Sequence, residues 1–137
     1  MRILIDINCL LMITPKSSKY HRLFNAIQSG EIELAVSTEI LAEYEEIIGN
    51  FYSPNYAELI LKGLINLPNV IKINPIYYQW GLITVDVDDN KFVDVCIASN
   101  ADLIVTYYKH FKELSKIPFP KVNYCNLEEL FSEYMRN

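Results

Sequence analysis

With 137 residues, 51% of them hydrophobic and 21% charged, the chain has the length and apolar content of one ordinary domain, residues 1–137, with a single buried core. Twelve Lys and Arg against seventeen Asp and Glu leave a formal charge of -5, which excludes a broad basic surface that holds nucleic acid by phosphate neutralisation alone. Nucleic-acid contact would have to use a metal or a local patch, for which Lys16, Lys19, His21 and Arg22, or Lys109, His110 and Lys112, are the candidates.

Cys9, Cys96 and Cys125 stand far apart with no Cys-x-x-Cys pair, so reduced thiols are expected and zinc is disfavoured. The first residues lack the basic, apolar and small-residue succession of a signal peptide, and no apolar run reaches membrane-spanning length. A cytoplasmic protein without membrane contact is the expectation.

Ile3-Leu4-Ile5 is a short apolar run suited to a strand buried on both faces, and it ends at Asp6. Tyr20, Leu23, Phe24 and Ile27 have helical spacing over residues 17–29, with Gly30 as the stop. Glu33–Val36 reads as a second strand and Ser37 as the N-cap of a helix carrying Ile40, Leu41, Tyr44, Ile47 and Ile48 to about Gly49. That helix sets Glu43 beside an apolar stripe.

Asn55–Asn66 reads as a helix bounded by Pro54 and Pro68, and Val70–Ile73 as a strand ended by Pro75. Leu82–Val85 leads into an acidic turn, Asp86, Asp88 and Asp89, before a helix from about Asn90 that buries Phe92, Val93, Cys96, Ile97 and Ala98. Leu103–Thr106 is the next buried strand. After Pro118 and Pro120 a short strand is expected around Val122, then a capping box of Asn126 and Glu129 opens a last helix, Leu127–Met135.

This alternation of strands and helices argues for βαβ units around a parallel sheet, with ligands in the crevice outside the carboxyl ends of the strands. Asp6, Glu43, Asp89 and Asp94 would gather there. Carboxylates so placed suit a hard divalent cation, Mg²⁺ or Mn²⁺, which takes oxygen ligands and keeps several waters. No glycine-rich fingerprint follows the first strand, which disfavours a dinucleotide or P-loop site. A phosphoacceptor receiver domain shares the architecture but wants paired acids after the first strand, where this chain has only Asp6.

Four segments in order, Ile5–Leu10, Ser37–Tyr44, Asp86–Asp94 and Asn100–Thr106, resemble the PIN domain nucleases, and within them the bacterial toxins of toxin–antitoxin systems. The resemblance covers nearly the whole chain. It implies a three-layer α/β/α fold with a central, mostly parallel sheet and a metal-dependent endoribonuclease in which a metal-activated water hydrolyses RNA. It further implies an antitoxin protein partner and a homo-oligomer, usually a dimer.

Carried over by position, Asp6 matches the first metal-binding acid, Glu43 the second and Asp89 the acid that opens the third helix, with Asp94 as an accessory. Asn8, Ser37 and Thr106 are expected to orient the acids or a metal-bound water. Tyr108 stands where the family has a further acid, which removes one charge and one strong oxygen ligand. This departure supports a second reading, a catalytically weakened PIN domain that binds RNA or protein.

The same residues have structural accounts: Asp6 as a turn starter, Glu43 as a solvated helix residue, Asp88 or Asp89 as an N-cap, Asp94 as a polar helix position, Asp86 as a turn residue and Asp102 as structural. Tyr77, Tyr78, Trp80, Tyr107 and Tyr108 are either base-stacking platforms or core and dimer surface.

Overall fold

A computed structural model describes residues 1–74, 76 and 78–135. Five strands form one sheet in the order β3-β2-β1-β4-β5, every neighbouring pair parallel. They are β1 Arg2–Ile5, β2 Glu33–Val36, β3 Val70–Lys72, β4 Leu103–Val105 and β5 Tyr124–Cys125. Helices cover both faces, giving three α/β/α layers.

The central strand follows from its residues: Ile3, Leu4 and Ile5 are fully buried, as expected for a parallel strand covered on both sides. Ile3 pairs with both Leu34 of β2 and Leu103 of β4. Chain direction away from β1 reverses between its two neighbours, so the crevice of such a sheet opens at the carboxyl ends of β1 and β4.

Helix α1, Ile7–Ile13, follows β1 directly and has no counterpart in the sequence expectation. Its residues, INCLLMI, are nearly all apolar, so no polar face marks the helical period. Helix α2, His21–Gln28, starts four residues later than expected, because the Ser18 hydroxyl accepts from Tyr20 N at 3.1 Å and holds a turn there. Gly30, at φ +84°, ends it as expected.

Ser37 caps α3, Thr38–Phe51, which continues through Gly49. Helix α4, Pro54–Ile65, begins on a proline in its first turn, where the missing N–H costs nothing. The α3 and α4 pair closes one flank of the core. The expected strand end at Pro75 lies outside the described residues; Ile73 N still bonds to Val36 O at 2.8 Å.

Ile83, fully buried, is anchored by one side chain: Asn90 Oδ1 accepts from its N–H at 2.8 Å and Asn90 Nδ2 donates to its carbonyl at 2.9 Å. A 3₁₀ turn, Val87–Asp89, then leads into α5, Asn90–Ala98. Lys109–Lys116 forms a second, unexpected 3₁₀ segment, with Phe111 and Leu114 three apart and buried.

The last strand is Tyr124–Cys125, two residues beyond the expected position at Val122. The Asn126–Glu129 capping box is present and opens α6, Leu127–Glu129, which widens into a π-type turn over Leu130–Tyr134. Asp102 is structural, its Oδ2 accepting from Arg2 N at 2.8 Å. Among the described residues no helix is long and apolar enough to cross a membrane.

Candidate active site

Asp6 leaves β1 at the mouth of the crevice. Its N–H still bonds to Val105 O at 3.1 Å, so the backbone is fixed by the sheet while the side chain turns to cap α1, Oδ1 accepting from Cys9 N at 2.9 Å. The residue is fully buried and Oδ2 has no hydrogen-bond partner of good geometry. Burial pushes the Asp6 carboxyl above its ordinary pKa, the Thr106 hydroxyl and the Cys9 amide pull it back in part, and the charge of Asp89 adds to the rise. A buried carboxylate oxygen without a partner is a costly arrangement unless something else binds it.

Tyr108 stands between the acids. Burial raises its phenol to about 12, and the negative field of Asp6, then Asp89, then Glu43 adds to the rise, so the hydroxyl stays neutral. It accepts from Asn8 Nδ2 at 2.8 Å, and its backbone N–H donates to Thr106 Oγ1 at 3.0 Å. Asn8 therefore orients Tyr108, whereas the Thr106 hydroxyl serves both the Tyr108 backbone and Asp6. Ser37 acts as a cap, accepting from Ile40 N at 3.2 Å.

Asp89 occupies the N-cap position of α5 without a capping bond, and the cap of the preceding 3₁₀ turn is Asp86, which accepts from Asp88 N at 3.1 Å. The Asp89 carboxylate is spent instead on His110, Nδ1 to Oδ2 2.8 Å, with Asp86 Oδ2 4.0 Å from the same nitrogen. Burial raises the pKa of Asp89 and the His110 contact opposes that rise. The His110 ring also stacks on Tyr108, centroids 5.9 Å apart and planes at 24°.

Glu43 is half-buried and ion-paired with Lys91. The Lys91 ammonium also meets Asp88 Oδ2 at 2.8 Å, and the side chain is only 6% exposed. Burial acts to lower its pKa, but the bonds to Asp88 and Glu43 outweigh that and the net shift is upward. Ile7, Asn8, Glu39, Glu43, Lys91 and Tyr108 line an open cleft of about 510 Å³.

Asp94 lies elsewhere. With Glu39 and Lys91 it lines a neighbouring cleft of about 500 Å³, and its Oδ1 accepts from Trp80 N at 3.0 Å. Burial raises its pKa, the Trp80 bond lowers it and Glu39 raises it again. The structure thus brings Asp6, Glu43 and Asp89 within electrostatic reach of Tyr108, while Asp94 lines the adjoining cleft, which shares Glu39, Asp88 and Lys91 with the first.

Two residues of this site are absent from the sequence expectation as site members, Lys91 and His110. The signal for Lys91 is its spacing three residues after Asp88 on a helix start, where opposite charges meet. His110 stands out in the sequence only as a member of the basic group with Lys109 and Lys112; its pairing with Asp89, 21 residues away, has no local signal. Of the basic groups, Lys16 and His21 line a separate groove with Phe24, Tyr56 and Ile60. Tyr107 donates its hydroxyl to Glu128 of α6. Tyr78 and Trp80 are in ring contact at 4.5 Å, and Tyr77 lies outside the described residues.

The donor chemistry fits a hard divalent cation on one count in particular: Asp6 Oδ2 is a buried carboxylate oxygen with no hydrogen bond of good geometry, and the charges of Asp6, Asp89 and Glu43 converge on Tyr108. The three thiols are buried and free, and burial raises each of them, Cys96 and Cys125 to about 12.

A parallel sheet whose strand order reverses beside β1, with acids gathered at that end, defines the broad class of open, doubly wound α/β proteins. Within it the assignment is specific: the model of the PIN domain family matches residues 2–110, and the chain belongs to that family. Among solved structures it is similar to a chain of "VapBC2 from Rickettsia felis bound to a DNA fragment from their promoter", with a TM-score of 0.61 and 19% identity over 92% of this chain and 98% of that chain. At that identity the likeness speaks for the fold. No curated protein sequence matches.

Proposed function

We propose that the protein is a metal-dependent endoribonuclease, the toxin of a toxin–antitoxin pair, that hydrolyses RNA phosphodiesters with water as nucleophile. The observation that carries this reading is Asp6 Oδ2, a fully buried carboxylate oxygen with no hydrogen-bond partner at the carboxyl end of the central strand. Asp6, Asp89 and Glu43 would hold Mg²⁺ or Mn²⁺, which supplies charge neutralisation at the scissile phosphate and acidifies water.

The chain's own groups divide the remaining work. Asp6 is held rigidly by the sheet and by its cap bond to Cys9, so its free oxygen is preorganised. His110 sits on Asp89 and fixes that carboxylate. The Tyr108 hydroxyl, held by Asn8, is a neutral donor on the same wall and suits a phosphate oxygen. RNA as substrate, an antitoxin that covers the crevice, a homodimer and a cytoplasmic location belong to this proposal; the PIN family and the VapBC2 likeness are what support it.

A second reading rests on Tyr108. With a phenol where the family has an acid, the crevice is poorer in charge, and a PIN domain retained for binding RNA or protein follows. Incubation of a mixed single-stranded RNA pool in Mn²⁺, Mg²⁺ or EDTA separates the two, with Asp6→Asn and Tyr108→Asp beside the natural chain. Metal-dependent cleavage that disappears in Asp6→Asn supports the nuclease. Silence in the natural chain and activity in Tyr108→Asp supports the binder, and silence in all three removes the enzyme.

A further inference from the structure

The Lys91 ammonium sits in a cage of three oxygens. It bonds to the Glu43 carboxylate, to Asp88 Oδ2 at 2.8 Å and to the Asp88 carbonyl at 3.2 Å. An ammonium has three donors, so its hydrogen-bonding capacity is filled. The side chain is 6% exposed and Nζ lies 5.4 Å from the centroid of the Phe92 ring. Two carboxylates and a backbone carbonyl are also the ligand types that a hard cation takes. Here that cation is covalently part of α5.

Its position matters as much as its ligands. Lys91 lines both the cleft that holds Asn8, Glu43 and Tyr108 and the one that holds Asp94, with Glu39 shared between them. It forms part of the wall between the two groups of acids. Glu43 is thus already neutralised, whereas Asp6 Oδ2 is not.

We propose that Lys91 is a resident counter-cation of the crevice that competes with a divalent cation for Glu43, so that cation uptake at Glu43 requires Lys91 to release it. The inference rests on the metal-dependent reading for the identity of the incoming ion and gives that site a built-in brake. A positive charge this near opposes a second, doubly charged ion directly. Removing it raises divalent affinity without adding any ligand.

Mn²⁺ binding to the full chain, measured without RNA by calorimetry and by the electron paramagnetic resonance of free Mn²⁺, tests this. Lys91→Met, which keeps the stem and loses the charge, is expected to bind at least about tenfold more tightly, the scale of one removed charge repulsion near a protein surface. Lys91→Arg, which keeps the charge, is expected to stay close to the natural chain. Equal or weaker binding by Lys91→Met, or no binding by any form, overturns the proposal.

A second measurement needs no variant: Lys91 acylation, followed by mass spectrometry, is expected to be slow in the cation-free chain and faster in saturating Mg²⁺. An unchanged rate overturns the proposal as well. The nuclease reading fails separately, by tight Mn²⁺ binding in Lys91→Met with no RNA cleavage under any condition. It also survives separately, by cleavage with equal affinities.

Discussion

Asp6 and Asp94 are both buried and both pushed upward in pKa by that burial, yet their carboxylates are in different situations. One Asp94 oxygen holds the backbone N–H of Trp80 and so fastens the segment before the acidic turn onto α5. One Asp6 oxygen caps a helix, while the other has no hydrogen bond of good geometry and the carboxylate has only the Thr106 hydroxyl beside it. The comparison teaches that burial and a raised pKa are common to both acids; what differs is the supply of donors, which marks Asp6 as the better candidate for an added ligand.

The largest test of that contrast is Asp6→Asn. Cleavage in Mn²⁺ is expected to fall by about a hundredfold or more, the scale of losing a preorganised charged group at a reaction centre. The same substitution is expected to stabilise the cation-free fold at neutral pH by about 1 kcal/mol, since Asn caps helices as well as Asp and carries no charge to desolvate. The sign follows from the raised pKa of Asp6: the charged form is penalised in the native state, fully so above the folded pKa. The advantage of Asn therefore shrinks as pH falls through that folded pKa and vanishes below the unfolded one. Urea midpoints in EDTA measure it, and an Asp6→Asn chain less stable at every pH would break the comparison.

Tyr108→Asp sharpens the same contrast by adding an acid on the side of the unsatisfied oxygen. Mn²⁺ affinity is expected to rise by about tenfold, one further carboxylate near a divalent ion. In the cation-free chain the added charge repels Asp6, Asp89 and Glu43, and stability is expected to drop by about 1–2 kcal/mol as the bond from Asn8 and the stack on His110 are lost. Calorimetry and thermal melts read the two effects independently. A stabilised chain with unchanged affinity would place the crevice acids too far from Tyr108 to share an ion.

In the adjoining cleft, Asp94→Asn keeps an acceptor for Trp80 N and changes only charge. Cleavage is expected to stay within about threefold of the natural chain and stability within about 1 kcal/mol, the range of one hydrogen bond weakened from charged to neutral. A loss of cleavage as deep as that of Asp6→Asn would abolish the distinction between the two acids and return Asp94 to the reacting group.

What the sequence discloses of this arrangement follows from the range of each interaction. Strands β1, β2 and β4 are legible because both faces are buried and their residues form unbroken apolar runs ending in Asp6, Ser37 and Thr106. Helix α1 is hidden by the same property, since INCLLMI has no polar face to show its period. The Ser37 cap and the Asn126 box are local and visible. The Lys91 bond to Glu43 and the His110 contact with Asp89 cross from one element to another, and only the fold brings them together. The 3₁₀ segment Lys109–Lys116 is a polar string with two apolar residues, too short a pattern to declare itself.

The smallest effect concerns an acid at the other extreme from Asp6, one supplied with donors on the surface. Glu128 Oε2 accepts hydrogen bonds from the hydroxyls of both Tyr20 and Tyr107, and the Tyr107 and Tyr20 bonds hold its pKa below the usual carboxylate value. A depressed pKa contributes stability that is complete above the unfolded value and is lost as pH falls through the folded one. Because the group is exposed, solvent screening limits this to a few tenths of a kcal/mol. Glu128→Gln is expected to remove that small acid-limb dependence from thermal melts and to leave cleavage and Mn²⁺ binding untouched, whereas in Asp6 the pH dependence runs with the opposite sign. Two carboxylates of one domain with opposite slopes in the same pH range would set an exposed acid, stabilised by two hydroxyl donors, against a buried one whose charge is penalised by desolvation.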